Sequence, residues 1–222
     1  MKLLTELYET VEYITEEVNG GKRTFIKGIF AEAEVLNRNK RMYPMPILER
    51  EITRYTKENI STNSAYGELN HPDGPGINLD RACILIKEMN KDGNAFIGKA
   101  LVTSTPMGKI VEGLIADGAR LGVSTRALGS LQPIKEGVNE GSFLVRPDLR
   151  LLAVDVVADP SAPNAFVNGI LEDREYIYDA SKNIFVEEFL DETKKVLKNM
   201  DQKRVDEAKL AMFQEFLDKL AS

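Results

Sequence analysis

The chain contains one histidine, His71, within the stretch GELNHPDGPG. A serine nucleophile needs a base within about 3 Å of its hydroxyl, and the base needs an acceptor for its second ring nitrogen. Any chemistry that uses an imidazole near neutral pH must therefore use His71.

Ser124 and Asp155 are the candidate partners. Ser124 lies in GARLGVSTRALGS, where small residues would let backbone amides approach a reacting carbonyl group. Asp155 lies within the apolar stretch LLAVDVVADP, and a buried carboxylate is costly unless an imidazole or a guanidinium pairs with it. The three residue types together predict a Ser-His-Asp triad. A structural role is the alternative, with Asp155 paired to Arg126 or Arg150.

Two other kinds of site are less favoured. The stretch GVSTR departs from the GxSxG motif of α/β-hydrolases, because Arg126 stands where the second glycine belongs. Glu68 and His71, with Asp73 and Asp80 nearby, could ligate a metal, but a catalytic zinc normally uses more imidazole or thiolate than this chain contains. We therefore expect no metal and no cofactor.

The composition narrows the range of partners. The chain has 29 basic and 35 acidic residues and a net charge of −6, and the mixing of the two signs argues against a nucleic-acid partner. Cys83 is the sole cysteine, which excludes an internal disulfide and fits a reducing cytosol. No apolar run approaches the length of a membrane span, so we expect neither export nor insertion in a membrane.

Periodicity predicts the elements that precede the histidine and the two that follow it. Apolar residues at helical spacing predict an amphipathic helix over residues 1–18, and β-branched and aromatic residues predict strands over residues 23–37. A surface helix is predicted near Pro46, and the Asp-Gly turn signal in NKDGN predicts a β-hairpin over residues 81–103. Thr105 is expected to cap a helix that ends at Gly118.

The remaining pattern contains two strands and then two helices. GARLGVSTRALGSL and LRLLAVDVVADPSAP are predicted strands, and the second is apolar enough to be central in its sheet. Apolar residues at helical spacing predict two amphipathic helices, from Lys182 to Met200 and from Asp201 to Leu220.

Four blocks of sequence carry a resemblance to a known family. They are EAEVLNRNKRMYP (residues 32–44), GELNHP (residues 67–72), GVSTRALGSL (residues 122–131) and VDVVADPSAPNAF (residues 154–166). In this order they resemble the prohead core proteases of T-even-type tailed bacteriophages, which are capsid-maturation serine proteases related in fold to herpesvirus assemblins. The resemblance extends from about Thr24 to about Val167.

The resemblance implies an α+β fold, with a compact β-barrel surrounded by helices, and a serine endopeptidase. His71 matches the catalytic histidine of the family and Ser124 matches its nucleophile. Asp155 is the third member, and Asp159 is the fallback. Arg126 and Thr125 are the candidates for contacts to the oxyanion or the substrate, together with backbone amides of a loop over ALGSL.

The resemblance also implies where the protein acts and on what. Its partners would be prohead scaffold or core proteins and the major capsid protein, which it would cleave inside the immature head in the host cytoplasm. A homo-oligomer is compatible with it. Family members resemble one another in cutting after Glu in Leu/Ile-x-Glu, so a cation should face the substrate carboxylate. Arg126, Arg81 and Lys87 are the candidates.

We divide the chain into an N-terminal helical segment (residues 1–20), a protease core (21–170) and a C-terminal helical segment (171–222). Triplets of the cleavage type occur in both terminal segments, which suggests autocatalytic trimming of a zymogen, although chance could produce them. The C-terminal helices would recruit the zymogen to the scaffold or block its cleft. The triplets are Leu4–Glu6, Leu7–Glu9, Ile14–Glu16, Ile170–Glu172 and Leu190–Glu192.

Two alternatives to a serine protease are a non-catalytic protein and an enzyme of another mechanistic class. The chain could be a non-catalytic, scaffold-binding module of the prohead core, with its C-terminal helices as the functional part. It could also be a metal-dependent hydrolase that uses Glu68, His71 and Asp80, which insensitivity to chelators would exclude. A complete candidate triad favours the serine protease.

Overall fold

A computed structural model describes residues 1–8, 11–18, 20–72, 74–135 and 137–158, together with the backbone of residues 175–179 and 184–188. These residues form an α+β fold in which strands predominate, as predicted. The strands are β1 (Lys2–Tyr8), β2 (Val11–Val18), β3 (Gly21–Glu32), β4 (Arg41–Met42), β5 (Tyr66–Glu68), β6 (Ala82–Asp92), β7 (Ala95–Val102), β8 (Leu121–Gly129), β9 (Leu131–Pro133), β10 (Phe143–Val145), β11 (Arg150–Ala158), β12 (Glu175–Asp179) and β13 (Ile184–Glu188). The helices are α1 (Met45–Tyr55), which continues into a π-helical turn (Thr56–Ile60), and α2 (Pro106–Ala116), and a short 3₁₀ turn covers Leu79–Arg81.

The strands form two five-stranded sheets and one small sheet. Their strand orders are β11-β8-β1-β12-β13, β2-β3-β7-β6-β5 and β4-β10-β9. The two large sheets come together where β5 meets β11: Leu69 and Val156 form a parallel bridge, and the Asn70 amide donates to the Val156 carbonyl at 2.8 Å. The closed barrel remains a prediction. The predicted central strand, β11, is instead the last strand of its ladder, although it is buried.

The central part of the chain folds as its sequence signals predict. The β6–β7 hairpin turns at Gly93, whose positive φ of 59° is one that glycine adopts without steric cost. The α2 helix begins after Thr105, whose hydroxyl accepts a hydrogen bond from the Gly108 amide at 3.2 Å. The turn and cap residues were sufficient to predict this hairpin and this helix, because turns and helix caps depend on residues close in sequence.

The predicted N-terminal helix is wrong, because residues 2–8 form a strand in the core. β1 pairs antiparallel with β8 along its whole length, and Leu3 and Leu4 are buried. Glu6 is buried too, and its carboxylate accepts hydrogen bonds from Arg41, Tyr43 and Asn39 at 3.2, 2.8 and 2.8 Å. Pairing with β8 and burial of both leucines outweigh the weak helical spacing of the segment.

The first predicted C-terminal helix is also corrected. Residues 184–188 form strand β13, which pairs with β12, so a helix cannot begin at Lys182. The remainder of that helix and the second predicted helix, from Asp201 to Leu220, lie outside the described residues. The division of the chain at residues 20 and 170 therefore remains a prediction.

We predict that Glu6→Ala lowers the free energy of unfolding by about 2–4 kcal/mol, because it removes a buried partner of Arg41 and Tyr43. Burial raises the pKa of Glu6, while the Arg41 charge and the Tyr43, Asn39 and Arg41 hydrogen bonds lower it, and burial has the larger effect. Urea unfolding measures the change. Glu12→Ala, on an exposed position of β2, is the control; equal losses in both variants would contradict the prediction.

Candidate active site

The structure brings His71, Ser124 and Asp155 into one hydrogen-bonded chain. His71 Nε2 lies 2.8 Å from Ser124 Oγ, and His71 Nδ1 lies 2.7 Å from Asp155 Oδ2. Asp155 is fully buried and Ser124 nearly so. The three residues that their types and surroundings singled out are therefore neighbours in space, although 84 residues separate His71 from Asp155.

Strand register explains how Ser124 and Asp155 meet. β8 and β11 are antiparallel, and Ser124 and Asp155 are direct cross-strand partners. Side chains of such a pair project from the same face of the sheet, with their Cβ atoms about 5 Å apart. The two strands therefore place a hydroxyl and a carboxylate on either side of a gap that one imidazole fills.

His71 reaches this gap from the segment that follows β5. Gly67 lets β5 approach β11 closely: a Cβ at that position would lie 2.0 Å from the Val154 carbonyl oxygen. Asn70 then adopts a left-handed conformation with φ of 61°, which Asn tolerates better than most residues. This turn, anchored by the hydrogen bond from Asn70 to Val156, directs His71 toward the two strands.

Asp155 accepts four hydrogen bonds. Its Oδ1 accepts from the Glu68 amide at 2.9 Å and from Arg126 Nη2 at 3.3 Å, and its Oδ2 faces His71 Nδ1 and Arg126 Nε at 2.7 and 2.9 Å. Burial raises the pKa of this carboxyl, but the His71 hydrogen bond, the Arg126 charge, the charge of His71 and the Glu68 amide together lower it below its ordinary value. The aspartate is thus stabilised as an anion.

Arg126 lies beneath the triad. It is fully buried, and its guanidinium contacts Asp155, Glu68 and the carbonyl groups of Gly74 and Gly76. The alternative pairing of Asp155 with Arg126 is therefore present together with the His71 contact. The other predicted partner, Arg150, instead lies 3.9 Å from Glu58 and is partly exposed.

Three comparisons relate this arrangement to known proteins. The family described as prohead core protein serine protease matches residues 10–175. The chain belongs to this family. It is 43% identical over 156 residues, 64% of this chain and 67% of the relative, to the prohead core protein protease of Enterobacteria phage T4. The structure of the bacteriophage T4 capsid assembly protease is similar with a TM-score of 0.65 and 36% identity, over 72% of this chain and 98% of that one.

In this prohead core protease, Thr125 and most of the ALGSL segment, which are the expected contacts to the oxyanion or the substrate, belong to strand β8. Thr125 faces the other side of β8 from Ser124, and its hydroxyl lies 3.4 Å from the Glu6 carbonyl. The expected ALGSL loop is largely strand, because Ala127, Leu128 and Gly129 belong to β8 and lie in ladders with its neighbours. Short-range pattern cannot distinguish an exposed loop of small residues from a strand that is paired on both sides.

The contacts of Glu68 argue against the alternative of a metal site, in which Glu68 would be a ligand. Glu68 is fully buried and its carboxylate faces Arg126 and Asn78, while both ring nitrogens of His71 face triad partners. Within the described residues, no group of three His, Cys, Asp or Glu side chains is suitably placed for a metal ion. Asp73 and the fallback carboxylate Asp159 lie outside the described residues.

Sequence reasoning missed the importance of Glu68, which it considered only as a metal ligand. Its amide donates to Asp155 and its carboxylate pairs with Arg126, so Glu68 contacts both the buried anion and the buried cation of the site. The available signal was the same as for Asp155: an acidic side chain in a segment that must approach an apolar strand.

None of the helices in the described part of the chain is long and apolar enough to cross a membrane.

We predict that Asp155→Asn lowers stability most near neutral pH. The folded-state pKa of Asp155 is below its unfolded value, so its contribution is full above the unfolded pKa of about 3.9 and is lost as the pH falls through the folded value. Urea unfolding of wild type and variant between pH 7 and pH 3 should therefore show a difference that shrinks below about pH 4. A difference that is independent of pH would contradict this linkage.

Proposed function

We propose that the chain is a serine endopeptidase in which Ser124 is the nucleophile, His71 the general base and Asp155 the residue that orients the imidazole. The observation that supports this most directly is the continuous hydrogen-bonded chain of 2.8 and 2.7 Å from hydroxyl to imidazole to carboxylate. A hydroxyl acquires nucleophilic character when a base removes its proton during attack. Membership of a serine protease family supports the same role.

The mechanism follows from the two ring nitrogens of His71. A proton on Nδ1, donated to Asp155, leaves Nε2 unprotonated and able to accept the Ser124 proton as Oγ bonds to the scissile carbonyl carbon. The carbonyl oxygen becomes an oxyanion, and His71 then transfers its new proton to the leaving amine as the peptide C–N bond breaks. Water attacks the acyl-enzyme in the reverse sequence, which regenerates Ser124.

The substrates proposed for this protease are proteins of the immature phage head. The similar T4 proteins are named a prohead core protein protease and a capsid assembly protease. We therefore infer that scaffold or core proteins and the major capsid protein are cleaved inside the prohead, in the host cytoplasm. A homo-oligomeric state is compatible with this proposal.

The proposed preference for Glu before the scissile bond requires a cation that can face the substrate. Arg126 does not suit this role, because it is fully buried and bonded to protein carboxylates and carbonyls. Lys87 bonds to Asn63 on the exposed side of β6. Arg81 lies 3.5 Å from Glu68 Oε2 and donates to the Leu69 carbonyl, but unlike Arg126 it is partly exposed and close to His71, so we assign the contact to Arg81.

We propose autoprocessing for the C-terminal segment but not for the N-terminal one, because Leu4–Glu6 lies within β1, Leu7–Glu9 begins in β1 and Ile14–Glu16 lies within β2. Cleavage after Glu6 would require β1 to leave β8, and Glu6 to leave its buried contacts with Arg41 and Tyr43. A protease needs an extended and accessible segment, which a strand of the core does not offer. The triplets that end at Glu172 and Glu192 lie outside the described residues and remain the proposed sites.

The Ser124→Ala variant tests the function. We expect wild-type protein to cleave a scaffold-derived peptide containing Leu-x-Glu after the glutamate, and the variant to lose at least about 10³-fold in kcat because the nucleophile is absent. Mass spectrometry identifies the bond that is cut. Equal cleavage by both proteins would show that Ser124 is not the nucleophile, and persistence of cleavage in chelator separates this mechanism from a metal-dependent one.

The same peptide tests Arg81. Arg81→Gln should raise KM for the Glu peptide by about tenfold, the effect of losing about 1.4 kcal/mol of a charged hydrogen bond, with little change in kcat. The matched control is Lys87→Gln, which should leave KM unchanged. A Gln-for-Glu peptide should bind similarly to wild type and Arg81→Gln. An equal effect of the two enzyme variants on the Glu peptide would argue against the assignment of Arg81.

A further inference from the structure

Arg126 uses every hydrogen-bond donor of its guanidinium. An arginine has five N–H groups, one on Nε and two on each Nη. The acceptors are Asp155 Oδ2 at 2.9 Å from Nε, the Gly74 and Gly76 carbonyls at 2.9 and 2.7 Å from Nη1, and Glu68 Oε1 and Asp155 Oδ1 at 3.0 and 3.3 Å from Nη2. No donor remains for an oxyanion or a substrate.

Glu68 bonds to the far side of this guanidinium and is itself firmly held. Its Oε1 accepts from the Asn78 amide at 3.0 Å as well as from Arg126, and its Oε2 accepts from Asn78 Nδ2 at 3.2 Å and lies 3.5 Å from Arg81 Nε. The Glu68 backbone amide donates to Asp155. One residue of β5 thus contacts both ions, through its side chain and its main chain.

We propose that Arg126 and Glu68 are positioning residues that fix the Asp155 carboxylate in the orientation required by His71, and that Arg126 also ties the segment Gly74–Gly76 to the nucleophile strand. This inference rests on the proposed function. The carboxylate cannot rotate without breaking the paired contacts from Nε and Nη2. Ser124 and Arg126 lie on the same face of β8, so a single strand carries both the nucleophile and the residue that aligns its base.

The charges around Asp155 give Arg126 a second effect, on the protonation of the Asp155 carboxyl. The groups that face Asp155 are Arg126 on β8, Glu68 on β5, His71, Tyr55 on α1 and Cys83 on β6. Burial raises the pKa of Cys83 to about 12 and that of Tyr55 still further, so both are neutral at physiological pH. Arg126 is therefore the fully buried cation that contacts both carboxylates, while Arg81 lies 3.5 Å from Glu68 alone.

A lysine at position 126 would keep the positive charge of Arg126 but not its hydrogen-bond geometry. A lysine ammonium keeps the positive charge, but it has three donors and no planar fork with which to contact Asp155, Glu68 and two carbonyl groups together. Comparison of Arg126→Lys with Arg126→Gln therefore separates the effect of geometry from the effect of charge. Glu68→Gln keeps the volume of Glu68 and removes the charge that opposes Arg126.

The first test is kinetic, with the full chain and the Leu-x-Glu peptide. We expect Arg126→Gln to lower kcat by about 100-fold with little change in KM, the size of effect produced by misplacing a reacting group by about 1 Å. Arg126→Lys and Glu68→Gln should each lower kcat by about tenfold, since each keeps part of the arrangement. The control is Arg41→Lys, which changes a similarly buried arginine that pairs with Glu6, and it should leave kcat unchanged.

The pH dependence of kcat/KM gives a readout that loss of packing alone would not change. The Arg126 charge lowers the pKa of Asp155, so its removal favours protonation of that carboxyl and the acid limb of Arg126→Gln should move toward higher pH. The acid limb of Arg126→Lys should stay in place because the charge is retained. A rise in KM with unchanged kcat in Arg126→Gln would instead indicate a substrate contact and would overturn the proposal.

The second test needs no catalysis and uses the fact that His71 is the only imidazole. In protein labelled with ¹⁵N-histidine, the NMR spectrum should show one tautomer, protonated on Nδ1, in wild type and in Arg41→Lys. Arg126→Gln and Glu68→Gln should show a mixture of tautomers or a weakened Nδ1 proton signal. Unchanged spectra in both variants would overturn the proposal.

The two tests also separate this inference from the proposed function. If Ser124→Ala retained activity, the proposed nucleophile would be wrong, but the tautomer of His71 would still report whether Arg126 and Glu68 position Asp155. Folding of each variant is checked by circular dichroism. Glu68→Gln keeps the inference testable if Arg126→Gln does not fold.

Discussion

The structure of the site depends on the burial of one negative charge, the carboxylate of Asp155. An ion in a protein interior is tolerated only when hydrogen bonds and an opposite charge replace the water that it has lost. Asp155 meets this requirement with four hydrogen bonds from three residues, which are His71, Arg126 and Glu68. Satisfying that charge therefore brings together β5, β8, β11 and the segment that carries His71.

Strand β8, which carries Ser124, is equally constrained by its surroundings. Every residue of β8 is buried, and the strand is paired with β1 on one side and β11 on the other. Ser124 thus sits on a rigid element whose register sets its distance from Asp155. Residues 2–8 contribute to that rigidity, because β1 pairs with β8 along its whole length and buries Leu3 and Leu4.

Much of the site was predictable from single residues. His71, Ser124 and Asp155 each stood out by rarity or by local surroundings, and the hairpin and the capped helix followed from turn and cap signals. The contacts of Arg126, Thr125 and Glu68 were not predictable, since each depends on which way a strand residue faces and on which strand lies opposite. The N-terminal strand was mistaken for a helix because its spacing was compatible with both.

The sequence by itself determined which chemical groups were available: a lone imidazole, a serine among small residues and an acid in an apolar strand are the groups that a Ser-His-Asp triad requires. Tertiary structure alone decided that the three side chains meet, that Arg126 faces inward with all its donors occupied, and that Glu6 is buried in β1. The physical reason is that residue type sets proton affinity and nucleophilicity, whereas distance and burial arise from strand pairing between segments far apart in the chain.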